Sequence, residues 1–360
     1  MSHVPTMTYP EAMVVGLIQG VTELFPVSSL GHNVLIPALV GGSWARDLNV
    51  SAAESPYLAF IVGLHVATAI ALLIYFWRDW VRIIRGFFSS ILGGGINTTD
   101  EKLAWMIIVA TIPVGIAGLL FEHAFRVLFG KPVLAAVFLV VNGVILFSGE
   151  KFRTKKSLQA DKDVAEERRL AVTPTGLQRE PAAGVAAVGL AAAGDASGMI
   201  VPPRRPGHGS HAAVKDSRTE RAAETAAAER ADRRLSKLDY LQSVIIGAAQ
   251  ILALLAGISR DGVTMVTGMV RGLSREDAAR FAFLLATPVI LAAGVLKVPD
   301  LFEKGHGIYG PILAGSILSG LGAYVSVRFL VRYFQTRTLT PFAIYCVLFG
   351  LGSIIYLQVR

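Results

Sequence analysis

Gln19, Glu23, Ser28, Ser29, His32 and Asn33 fall inside one apolar stretch, Gly16 to Ala38, which Pro26 and Gly31 break. Hydrocarbon tolerates such a set only where the side chains face a protein interior or a wet cavity. Gln19 and Glu23 are four residues apart and share a face if the stretch is helical. The residue types suit nucleophilic and acid–base chemistry. Ser29 could attack phosphorus with Glu23 or His32 as its base, or His32 could attack directly. A second stretch, Ala256-Gly-Ile-Ser-Arg-Asp-Gly-Val-Thr264, supplies the complement. Arg260 stays charged in any environment, and its planar fork fits a phosphate bidentately. Gly257 and Gly262 let backbone N–H groups turn towards an anion, and Ser259 and Thr264 add hydroxyls. Arg260 could instead pair structurally with Asp261 or Glu23. If Glu23 faces a phosphate, a cation between them is expected, and Mg²⁺ and Ca²⁺ both favour oxygen ligands.

The elements that position these residues are those of a membrane protein. The chain of 360 residues is 53% hydrophobic and 17% charged, and its apolar residues come in long runs. The net charge of +8 does not point to nucleic acid, because the Lys and Arg residues flank the apolar runs or sit in one polar segment. The single Cys346 excludes a disulfide framework and a cysteine metal site. No basic region precedes the first apolar run, so a cleaved signal peptide is not expected. His65 and Thr68 read as helix-packing polar groups. Arg271, Arg275 and Arg280, with Glu276 and Asp277, read as an interfacial helix start capped by Ser274.

The reading that follows is an all-α polytopic membrane protein built of two repeats. Residues 1–150 form the first, with a re-entrant hairpin at 9–40 and spans at 57–77, 103–120 and 132–147. Residues 151–237 are a polar, largely disordered cytoplasmic loop with a short helix at 217–235. Residues 238–360 form the second, with a hairpin at 238–270 and spans at 278–296, 308–327 and 341–357. Placing 78–102 inside puts every strong Lys/Arg cluster on the cytoplasmic side, provided each hairpin enters and leaves on one face. Aligning Gln19 with Gln250 brings Gly16 to Gly247, Ser28 to Ser259 and Gly31 to Gly262. Each broken stretch is followed by three spans, and that odd number inverts the second copy.

These motifs resemble the bacterial undecaprenyl-diphosphatase, or bacitracin-resistance, family. Its first signature, Glu or Gln, three residues, Glu, then Pro-x-Ser-Ser-x-Gly-His, is similar to Gln19–His32. Its second, Pro-Gly-x-Ser-Arg-Ser-Gly-x-Thr, is similar to Ala256–Thr264. The resemblance covers nearly all of the chain outside 151–237. It implies a membrane phosphatase that hydrolyses undecaprenyl diphosphate to undecaprenyl phosphate and inorganic phosphate, recycling the lipid carrier for peptidoglycan and conferring bacitracin resistance. It further implies a divalent cation and a site opening to the outer face of the inner membrane. Glu23, Ser29, His32 and Arg260 are the implied catalytic residues. Ser28, Ser259, Arg260, Gly262 and Thr264 are the implied phosphate-binding set. Glu23, Gln19 and Asp261 are the candidate metal ligands. The expected partners are the polyprenyl diphosphate, membrane lipids and a second copy in a homodimer. There are departures: Gln19 is the neutral option, Leu30 replaces a hydroxyl, Ala256 replaces proline, and Asp261 replaces serine beside the arginine. The rival reading is a polyprenyl-phosphate flippase, since inverted repeats with broken helices are also a transporter plan.

Overall fold

The computed structural model describes residues 7–48, 56–129, 131–172, 217–304 and 308–359, and among these every regular element is helical. α1 (Tyr9–Thr22) starts from a capping box in which the Thr8 hydroxyl accepts from the Glu11 N–H and Glu11 reaches back to the Thr8 N–H. The chain turns through 23–27 and re-enters as α2 (Ser29–Val40), followed by the short α3 (Gly42–Asp47). α4 (Pro56–Tyr75) stops at Phe76, and α5 (Trp77–Leu92) leaves at 85° to it. α6 (Thr99–Phe129) and α7 (Pro132–Lys151) complete the first half. α8 (Lys155–Val172) and α9 (Ser217–Leu235) flank the polar segment. In the second half α10 (Tyr240–Ala248) runs into a 3₁₀ turn at Ala249–Leu254, and α11 (Arg260–Val270) follows the break. α12 (Arg275–Lys304), α13 (Tyr309–Tyr333) and α14 (Thr340–Val359) follow.

Five helices among the described residues are long and apolar enough to cross a bilayer, within α6, α7, α12, α13 and α14, and a sixth if the bent α4–α5 pair counts as one span. Large apolar side chains such as Leu119, Leu321 and Ile355 face outward, as lipid-facing surfaces require. Inside, α1 lies on α13, α10 on α6, and α7 on α14, while α4 packs against α12 and α13. The closest approaches are made at small residues. A Cβ at Gly16 would strike the Gly315 carbonyl, and one at Gly247 would strike the Ala110 carbonyl.

Two expectations need correction. The span expected at 57–77 ends at Tyr75, and the arginines after it lie on a separate helix. In α5, Trp77, Val81, Ile84 and Phe88 form an exposed apolar stripe, while Asp79, Ile83, Gly86 and Ser90 are buried. That is the pattern of a helix lying along a surface, which explains the sharp turn after α4. The polar segment is also more ordered than its composition suggested. α9 matches the expected helix, but α8 was not foreseen; residues 173–216 lie outside the described set. Ion pairs fasten both helices to the base of the bundle. The buried Asp232 of α9 accepts from Arg82 at 2.6 Å and from Arg280 at 2.9 Å, and Asp79 also pairs with both arginines. Arg234 pairs with Asp277 at 2.8 Å and Glu167 at 2.6 Å, and Arg168 pairs with Glu276. Asp161 accepts from Arg153 at 2.7 Å and from the Arg275 N–H at 2.8 Å. α12 begins where Ser274 caps the Asp277 N–H at 3.0 Å, as the sequence suggested.

Candidate active site

The first hairpin sets its reactive groups on either side of its break. Glu23 is the residue after α1, and its carbonyl-ward turn keeps it on the face of Gln19. Gln19 Nε2 donates to Glu23 Oε2 at 2.8 Å, and Gln19 Oε1 accepts from Asn33 Nδ2 at 2.6 Å. Ser29, the first residue of α2, donates its hydroxyl to the same Glu23 Oε2. Gln19, Glu23, Ser29 and Asn33 are all buried. The structure thus pairs the candidate nucleophile Ser29 with Glu23.

Between them Ser28 holds φ at 67°, a conformation that costs a non-glycine residue energy and persists only where its surroundings enforce it. Here they do. Ser28 Oγ accepts from the Gly31 N–H at 3.2 Å, capping α2, and from the Gly257 N–H of the second hairpin at 3.1 Å. Gly257 itself has φ 111° and sits against the Ala135 carbonyl, so no side chain fits there.

The second hairpin delivers one charge into this cluster. Arg260 Nη2 donates to Glu23 Oε1 at 2.7 Å. Ser259 caps α11, its Oγ accepting from the Gly262 N–H at 3.2 Å. Thr264 Oγ1 donates to the Arg260 carbonyl at 2.7 Å, so its proton is committed within the helix. Asp261 is buried with its Oδ1 3.6 Å from Arg260 Nε, and neither carboxylate oxygen has a hydrogen-bond partner.

His32 stands apart from the Ser29–Glu23 pair. Its Nδ1–H donates to the Ser28 carbonyl at 2.7 Å, and Nε2 lies 2.7 Å from the Tyr345 hydroxyl. The ring stacks on Tyr345 and Phe349.

Three groups of this region were not legible as such. Asn142 of α7, fully buried, donates to the Pro26 carbonyl at 3.0 Å and accepts from the Ser259 N–H at 3.0 Å, tying the two breaks together. It is the one polar side chain within 132–147 apart from backbone groups, and that isolation in an apolar run was the available signal. Tyr345 reaches His32 from the far end of the chain. His65, expected as a helix-packing polar group, also faces Glu23. Its Nδ1–H donates to the Ile61 carbonyl at 2.8 Å, which leaves Nε2 3.4 Å from Glu23 Oε2.

A profile of the family described as bacitracin resistance protein BacA matches residues 12–173 and 213–352. The chain belongs to the BacA family. Among relatives of this BacA protein, an undecaprenyl-diphosphatase of Mycolicibacterium paratuberculosis is 55% identical over 355 residues, which cover 98% of this chain and 99% of the relative. Undecaprenyl-diphosphatase 1 of Frankia casuarinae is 50% identical, covering 96% and 97%. Undecaprenyl-diphosphatase 2 of Chromobacterium violaceum is 36% identical, covering 96% and 98%. The BacA match runs through all of α8 and α9, so the docked helices belong to the matched portion.

Proposed function

We propose that the chain is an integral membrane phosphatase that hydrolyses undecaprenyl diphosphate to undecaprenyl phosphate and inorganic phosphate. The observation that carries this is the buried Ser29–Glu23 pair with Arg260 seated on the same carboxylate. A flippase needs to hold a phosphate, but it does not need a nucleophile with its base.

The terminal phosphate competes with Glu23 for Arg260. Its oxygens take the guanidinium fork, and Glu23 is released to act as base. Ser29 Oγ attacks the terminal phosphorus while its proton passes to Glu23. The bond from that phosphorus to the bridging oxygen breaks, and the polyprenyl phosphate leaves. The leaving polyprenyl phosphate takes that proton from Glu23. Water then gives a proton to the regenerated carboxylate as it attacks phosphorus, the Ser29 Oγ–P bond breaks, inorganic phosphate leaves, and Glu23 returns the proton to Ser29 Oγ. The N–H groups of Gly257, Ser259 and Gly262 are taken by Ser28, Asn142 and Ser259. The added donors to the transferring group are therefore Ser259 O–H and the N–H groups that open α11 at Arg260 and Asp261, and such fixed positive charge supplies most of the rate gain in phosphoryl transfer. His32 shapes the cleft beside Tyr345 and Phe349, and its hydrogen bonds hold the turn at Ser28.

A divalent cation, Mg²⁺ or Ca²⁺, fits beside Glu23. Among the described residues no three His, Cys, Asp or Glu side chains converge, so the protein offers an incomplete cage. That suits a cation whose remaining ligands are water and substrate phosphate oxygens. Glu23 would hold it, and Asp261, whose carboxylate oxygens have no hydrogen-bond partner, would be a further oxygen donor. Gln19, the other expected ligand, turns its Nε2 to Glu23 and its Oε1 to Asn33. When bound it would neutralise charge on the phosphates.

The two halves are read as inverted repeats. The shared capping boxes, serine-capped breaks and the exchange of α1 on α13 for α10 on α6 support this. With the Arg-rich ends of α5 and α12 in the cytoplasm, the site opens to the outer face. A homodimer is compatible with the lipid-facing surfaces. The test is phosphate release from undecaprenyl diphosphate by purified protein with Mg²⁺ or Ca²⁺. Steady release is expected; a protein that binds the lipid diphosphate and releases no phosphate would overturn the proposal.

A further inference from the structure

We propose that His65 is a ligand of the divalent cation, placing a nitrogen donor opposite Glu23. This rests on the phosphatase reading above and assigns the metal one protein ligand that no motif marks.

The tautomer is set by geometry. His65 gives its Nδ1–H to the Ile61 carbonyl, which leaves Nε2 as the ring nitrogen open to a ligand. Metal-binding histidines are usually held this way, with the other ring nitrogen bonded to a carbonyl or carboxylate. That nitrogen lies 3.4 Å from Glu23 Oε2. The gap is longer than the usual N–H···O distance of about 2.9–3.0 Å. It is close to the spacing of two donors bound side by side to one cation through bonds of about 2.1 Å, which is about 3 Å. At rest Arg260 occupies the other oxygen, Oε1. Once the diphosphate draws Arg260 away, the His65–Glu23 gap is the place where the lost charge is restored. Access is also present, because the His65 side chain keeps 26% of its surface exposed while Glu23 keeps 4%. An imidazole ligand favours transition metals over Mg²⁺ and Ca²⁺, so Mn²⁺ is expected to bind more tightly than either.

The experiment uses the purified full chain, Mn²⁺ and methylenediphosphonate, read by electron spin-echo envelope modulation and by Mn²⁺ titration. Wild type is expected to show imidazole nitrogen coupling to Mn²⁺. His65→Gln should lose that coupling and weaken Mn²⁺ binding at least tenfold, while His32→Gln keeps the coupling. His65→Asp, which restores a donor, should bind Mn²⁺ within a few-fold of wild type without nitrogen coupling, which separates ligand loss from misfolding. Nitrogen coupling absent from wild type, or surviving in His65→Gln, overturns the assignment, as does a wild type that binds no Mn²⁺. Phosphate release measured in parallel separates the two proposals. Release without nitrogen coupling sinks His65 and spares the phosphatase. Coupling that depends on His65 without any release supports the metal site and sinks the phosphatase.

Discussion

The two hairpins share a frame and differ in what fills it. Each starts from a capping box, Thr8 with Glu11 in one and Asp239 with Gln242 in the other. Each breaks at a serine whose hydroxyl caps the next helix through a glycine N–H at 3.2 Å. Each presses a glycine against a partner backbone, Gly16 on Gly315 and Gly247 on Ala110. In the first, Gln19 finds a carboxylate four residues on, and a chain of hydrogen bonds runs from Asn33 through Gln19 and Glu23 to Ser29. In the second, the matching Gln250 has Leu254 four residues on, and both its amide atoms are buried without a partner. One half holds a connected hydrogen-bond chain around a buried carboxylate. The other contributes Arg260 and keeps the frame. Two stretches of similar backbone construction thus differ by a few side chains at matched positions.

Exchanging serines should break the comparison most visibly. Ser29→Ala removes the proposed nucleophile and should lower kcat/KM about 10²–10⁴-fold. Ser259→Ala removes a cap and one phosphate donor, and should cost about 1 kcal/mol of stability and at least tenfold less activity than Ser29→Ala, by phosphate release and thermal melting. Asn142→Leu should strike both hairpins at once. It leaves the Pro26 carbonyl and the Ser259 N–H buried without partners, at roughly 1–3 kcal/mol each, read as a lower melting temperature. The two glutamines sharpen the contrast. Gln19→Leu should destabilise the fold and depress activity, because Glu23 and Asn33 both lose a partner. Gln250→Leu should be neutral or stabilising by about 1 kcal/mol, since it removes an unpartnered amide.

The smallest expected effect lies outside the membrane, at α8. Burial alone would raise the Asp161 carboxyl, but hydrogen bonds from Arg153 and the Arg275 N–H, with the charges of both arginines, hold it below the ordinary value of 3.8. A depressed carboxylate stabilises the docked state above its unfolded pKa, and that contribution fades as pH falls below it. Protection of α8 amides from hydrogen exchange should therefore hold from pH 7 to about pH 5 and decline below about pH 4. Asp161→Asn should remove that decline.

Much of the fold was legible because apolar length and breaks are local properties. The spans, both hairpins and the helix at 217–235 follow from run length, Pro26, Gly31, Gly257 and alanine-rich composition. Glu23, Ser29 and Arg260 announced themselves as polar groups in apolar sequence. What escaped depended on distance along the chain. His65 looked like a packing residue because its partner, Glu23, lies 42 positions earlier. Asn142 bridges breaks that lie on either side of it, 116 and 117 residues away. α8 has too little apolar surface to predict a packed helix; it is held by Asp161, Glu167 and Arg168, whose partners are Arg153 between α7 and α8, Arg234 of α9, and Arg275 and Glu276 of α12. The bend at Phe76 was hidden because Arg78, Arg82 and Arg85 mark the end of a span whether the chain runs straight on or turns along the surface.

The central claim is that catalysis is assembled across the two hairpins at the Glu23–Arg260 contact. A double-mutant cycle on phosphate release from undecaprenyl diphosphate tests it most directly, with Glu23→Gln, Arg260→Ala and the pair. Groups that act as a unit are non-additive. Each single variant should lose at least about 10²–10³-fold in kcat/KM, and the double variant should lose little more than the worse single. Losses that multiply, or near-wild-type turnover by either single variant, would contradict the account.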